Sequence, residues 1–70
     1  MTTIDVIKKC YPISYVQIFP KNSRDCIEYT IKELIDGVRN KSEEITKVLN
    51  LEVYGYVDGN GSGLLKIFTL

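Results

Sequence analysis

The chain has no histidine, tryptophan or alanine, one methionine, two prolines and two cysteines. Histidine is the side chain whose ordinary pKa suits proton transfer near neutral pH, so a general base here has to be a carboxylate, lysine or cysteine shifted by its surroundings. No pair of such groups is marked by its spacing, and a cysteine nucleophile has no imidazole to activate it. The same absence removes the common zinc ligand sets, because Cys10 and Cys26 alone are too few and too far apart. They read as reduced thiols, with a disulfide the lesser alternative where no secretory signal is seen. No apolar run approaches the roughly 18 residues of a membrane span, and the amino terminus lacks a signal-type apolar core. The expectation is a soluble cytoplasmic protein, not an enzyme, with no metal and no cofactor.

What is present is the composition of a folded domain: 70 residues, 44% hydrophobic and 26% charged, with five tyrosines. Residues 1–70 are read as one domain. At this length a single core supplies only about 3–5 kcal/mol of net stability, so a homodimer or a tight partner is expected to add to it. Frequent Ile, Lys, Asn and Tyr with no Ala fit an AT-rich genome. Nine basic and nine acidic residues cancel overall, but residues 1–24 carry a net +3 and residues 25–52 a net −3. That balance argues against a domain working mainly by phosphate neutralisation.

The strongest pattern runs from Asn22 to Gly37. Ile27, Ile31, Leu34, Ile35 and Val38 recur at i, i+4, i+7, i+8 and i+11, which predicts one helix laying an apolar stripe on a sheet. Asn22 or Ser23 caps its start, Glu28 and Lys32 pair at i,i+4, and Gly37 follows its end. Before it, Thr2 or Thr3 caps a short helix through Lys9, although an extended arm fits the same residues, and Pro12 ends that segment. Ile13 to Phe19 then alternates as a strand, with Ile13, Tyr15, Gln17 and Phe19 on one face and Ser14, Val16 and Ile18 on the other. After Gly37, Ser42 opens a second helix carrying Ile45, Val48 and Leu49, with Asn50 at its end. Glu52–Val57 and Leu64–Leu70 flank Asp58–Gly63 as a hairpin. The predicted fold is an α+β two-layer sandwich. It has a three-stranded, mainly antiparallel sheet in the order β-α-α-β-β, a possible short leading helix, and two helices on one face.

The loop DGNGSG satisfies neither an EF-hand, whose ligand positions hold Tyr56 and Ile67 here, nor a phosphate loop, which opens onto a helix. It reads as a hairpin tip. Strand, helix, the basic turn Gly37-Val38-Arg39-Asn40-Lys41, helix and hairpin resemble the order of a KH domain over residues 13–70, with Asn40 where the second Gly of the Gly-x-x-Gly turn belongs. The resemblance implies single-stranded nucleic-acid binding, with Arg39 and Lys41 on phosphates. The leading functional expectation comes from the outward face of the helices. Asp25, Glu28, Tyr29, Glu33 and Asp36 lie opposite the apolar stripe, and Glu43 and Glu44 open the next helix. An acidic face bearing an aromatic suits docking onto a basic protein surface. The expected protein is a non-catalytic binding module, resembling in style the small accessory or inhibitor proteins of phages and other mobile elements. A KH-like single-strand binder is the alternative and a small enzyme the third.

Overall fold

The computed structural model describes residues 1–59 and 61–70. Its elements are α1 (Thr3–Cys10), β1 (Tyr15–Pro20), β2 (Ile27–Thr30), α2 (Ile31–Arg39), α3 (Glu43–Leu49), β3 (Val53–Asp58) and β4 (Leu64–Thr69). The fold is α+β. Its four-stranded sheet has the order β2-β1-β4-β3, with β1 antiparallel to β2 and parallel to β4, and β3 antiparallel to β4. The sheet is therefore mixed, not the three-stranded, mainly antiparallel one expected.

The added strand comes out of the predicted long helix. Ile27 and Tyr29 are residues that favour strands, and their period of two sends both toward the helical layer while Glu28 and Thr30 point away. Ile27 pairs with Ile18 and Tyr29 with Val16. The helix starts four residues later than its apolar spacing suggests, at a capping box. The Thr30 hydroxyl accepts from the Glu33 N–H at 3.1 Å, and the Glu33 carboxylate accepts from the Thr30 N–H at 3.0 Å. Ser23 caps no helix; its hydroxyl closes a turn with the Asp25 N–H. Glu28 and Lys32 stand on different elements, so their expected pairing on one helix is not formed.

Gly37 is also reassigned. It lies inside α2, which ends at Arg39 with Asn40 as its cap, and a Cβ there would sit 2.8 Å from the Ile45 Cβ. Its hydrogen lets α2 and α3 approach closely, whereas the left-handed residue of the connection is Lys41, at φ 55°. Ser42 caps α3 through the Ile45 N–H at 3.3 Å, as the sequence suggests.

At the amino terminus α1 forms as one of the two expected alternatives. Thr2 donates to the Asp5 carboxylate from its N–H and its hydroxyl, and these bonds hold the Asp5 carboxyl below its ordinary value. The Thr3 N–H bonds Leu51 O and the Val53 N–H bonds Met1 O, tying α1 beside β3.

The core lies between the sheet and the helices. Val16 and Ile18 of β1 and Leu65 and Ile67 of β4 are fully buried against Val6, Ile7, Leu34, Ile45, Val48 and Leu49. The expected alternation of β1 holds except at Ile13, which precedes the strand and is buried in the core, not on the Tyr15 face. The expected hairpin joins β3 and β4. Asn60 of its loop lies outside the described residues, but the loop's far end is stitched down: Gly63, at φ 79°, accepts from the N–H groups of Ser14 and Tyr15 at 2.7 and 2.9 Å. Both cysteines are free thiols. Among the described residues, no helix is long and apolar enough to cross a membrane.

Candidate functional site

The strand at Ile27–Thr30 redistributes the expected acidic face. Asp25 lies in the turn before β2, and Glu28 points from β2 to the sheet face away from the helices, opposite Gln17. Neither belongs to a helix surface, because residues 25 and 28 share a face with 33 and 36 only if one helix runs through all four. Glu33 is exposed but engaged as the α2 cap, Asp36 is exposed on α2, and Glu43 and Glu44 stand exposed in the first turn of α3.

Tyr29 departs further from expectation. Expected on the outward face as an aromatic anchor, it is buried, at 8% exposure. Its hydroxyl donates to the Glu44 carboxylate at 3.2 Å. Burial raises the phenol's pKa, and the bond to Glu44 and the charges of Glu44 and Glu33 raise it further. Two of the seven expected residues, from β2 and α3, thus meet. Tyr29 serves as the polar post on which Glu44 is fixed, and Asp36 and Glu43 remain free on the adjoining helices.

The KH-like turn is not formed. The element order is α-β-β-α-α-β-β, and Gly37 to Asn40, the stretch standing for Gly-x-x-Gly, is the last turn and cap of α2. Arg39 and Lys41 are both exposed but are not displayed together by a glycine loop. Lys41 sits in the connection, while Arg39 lines a cleft between α1 and α2.

That cleft is the feature the sequence reasoning missed. It has a volume of about 330 Å³ and is walled by Ile4 and Ile7 of α1, Tyr11, and Ile31, Ile35 and Val38 of α2, with Arg39 its one charged wall residue. Ile35 and Val38, expected to cover the sheet, are 46% and 56% exposed. Only Leu34 of the stripe is fully withdrawn into the core, because α2 rests mainly on β2 and α3 at the sheet's end. No local signal marks the cleft, since four apolar positions in nine residues is the ordinary density of a core-facing helix.

No protein-family model, curated protein or solved structure matches the chain. The functional reading accordingly rests on the residues and their arrangement.

Proposed function

We propose that the chain is a small non-catalytic protein-binding module, of the accessory or inhibitor kind carried by phages and other mobile elements, whose helical layer occupies a basic surface of its partner. The observation carrying this reading is the hydrogen bond that fixes Glu44 on buried Tyr29, with Asp36 exposed on α2 and Glu43 exposed on α3. Fixing a carboxylate in advance lowers the ordering cost of a charged contact, and clustered like charges steer a complementary partner into encounter. The apolar cleft on the same layer supplies what charge does not, a dry place for an anchoring side chain.

The partner is to be captured from the native host and identified by mass spectrometry, and its association measured with the double variant Asp36→Lys/Glu43→Lys. Those two acids are chosen because Glu33 caps a helix and Glu44 holds Tyr29, so altering either confounds binding with folding. The expected result is association slowed roughly 10-fold at low salt, less at high salt, with an unchanged melting temperature. An unchanged association rate at both salts removes the acidic edge as the docking surface.

A further inference from the structure

The helices cover one face of the sheet, and the other face is open. At its centre β1 and β4 run parallel, flanked by the antiparallel β2 and β3. The open face is also unusually aromatic: Phe19 and Phe68 stack with ring centroids 5.3 Å apart, and Tyr54, at the β3 irregularity, lies 6.3 Å from Phe68. Tyr15, on the same side of β1 as Phe19, is 46% exposed, and Tyr54 is 59% exposed.

Between the aromatic end and Tyr15 runs a single polar row. Glu28 pairs with Gln17, Gln17 with Lys66, and Lys66 with Val57, so an acid, an amide and a base stand side by side across β2, β1 and β4. Glu28 and Lys66 are both exposed. They lie two strands apart, about 10 Å between backbones, and form no ion pair with each other. The row is complementary to its own copy. A two-fold axis along β1, between two sheets packed face to face, reverses the strand order while keeping each row level, which sets Glu28 of one copy against Lys66 of the other and Gln17 against Gln17.

We infer that the open sheet face over β2, β1 and β4 is the interface of a homodimer, in which Phe19 meets its own copy on the axis and two reciprocal Glu28–Lys66 pairs fix the register. A face of roughly 20 Å by 20 Å offers about 400 Å² per copy and about 800 Å² in total, the size of a weak contact that forms at high concentration. Stacked aromatics also suit the bases of a single-stranded nucleic acid, but such sites track the phosphates with a positive groove. Here the one lysine of the polar row is matched by Glu28. The inference uses the side of the sheet opposite the acidic edge and stands independently of the proposed function.

Sedimentation equilibrium on the wild type and three variants tests it. The wild type should be dimeric, and Glu28→Lys and Lys66→Glu should each weaken the dimer about 10-fold or more by facing like charges. The double variant Glu28→Lys/Lys66→Glu should return to within about threefold of wild type, all four keeping the same circular dichroism spectrum. A wild type that stays monomeric at millimolar concentration overturns the inference, as does a double variant no tighter than the singles. So does a dimer untouched by these changes but lost on Ile35→Lys, which places the contact at the helical cleft. Tight binding of oligo-dT by a monomeric wild type overturns it in favour of a single-strand platform.

Discussion

The two faces of the sheet are made from alternate residues of the same strands, yet they are chemically unlike. Toward the helices β1 and β4 present Val16, Ile18, Leu65 and Ile67, four aliphatic side chains with no exposed surface. Away from them the same two strands present Tyr15, Gln17, Phe19, Leu64, Lys66 and Phe68, aromatic at one end and polar across the middle. The aliphatic face is built for interdigitation with helices that never leave. The aromatic face offers large flat area at little rotamer cost and carries its own charge pattern, features of a surface that meets a partner. One strand pair thus holds the fold together on one side and leaves an aromatic and charged face exposed on the other.

The sharpest way to break this comparison is to place the same charge on neighbouring residues of β4. Ile67→Asp buries a carboxylate with no partner and should abolish cooperative thermal unfolding. Phe68→Asp, one residue on, should leave the chain folded by circular dichroism and monomeric in sedimentation. Loss of folding in both would show that the aromatic face belongs to the core.

A smaller effect is expected where α2 meets α3. Replacing a mid-helix glycine with alanine ordinarily stabilises by roughly 0.5–1 kcal/mol. Gly37→Ala should instead destabilise by about 1–3 kcal/mol, since the new methyl overlaps Ile45. Ile45→Ala, which removes the two γ carbons that the methyl meets, should cost less in the Gly37→Ala background than on its own in denaturant titrations. A stabilised Gly37→Ala would mean that the helices are not closely packed there.

The acidic edge has a pH signature. The Tyr29 phenol is raised above its ordinary value of 10.0, so the unfolded chain ionises first. Its contribution is complete below pH 10 and declines as pH rises through the higher folded value. Melting temperature should therefore fall on the alkaline side in the wild type and fall less steeply in Tyr29→Phe. Parallel alkaline limbs would exclude the buried Tyr29–Glu44 contact.

The smallest change sits at the edge of the covered face. Thr69 is fully buried and its hydroxyl finds no hydrogen-bond partner among the described residues. Thr69→Val removes that unsatisfied group at nearly constant volume and should raise stability by about 1 kcal/mol.

Much of the fold was legible because its signals are local. Ser42 as a cap, Ile45, Val48 and Leu49 as one helical face, and the hairpin strands around the glycine-rich loop all follow from residues a few positions apart. The β2–α2 boundary was misread because Ile27 and Ile31, four apart, satisfy the helical period even though the chain changes conformation between them. Thr30-x-x-Glu33, the capping box that decides the matter, competes in sequence with Asn22 and Ser23, which cap equally well in principle. Once that boundary moves, Asp25 and Glu28 leave the helical face and Tyr29 turns inward. The parallel pairing of β1 with β4 joins residues some fifty positions apart, and no local period encodes it. The cleft was hidden for a similar reason, since it depends on how α1 lies against α2.

The central claim, that the aromatic face of the sheet is a self-recognition surface, is tested most directly by isotope-filtered nuclear Overhauser spectroscopy on a mixture of labelled and unlabelled chains. The account predicts intermolecular cross-peaks from the rings of Tyr15 and Phe19 and from the side chains flanking Gln17, with none from Ile35 or Val38. Cross-peaks confined to Ile35, Val38 and Tyr11 would contradict it, as would a spectrum with no intermolecular cross-peaks at concentrations where the chain is fully assembled.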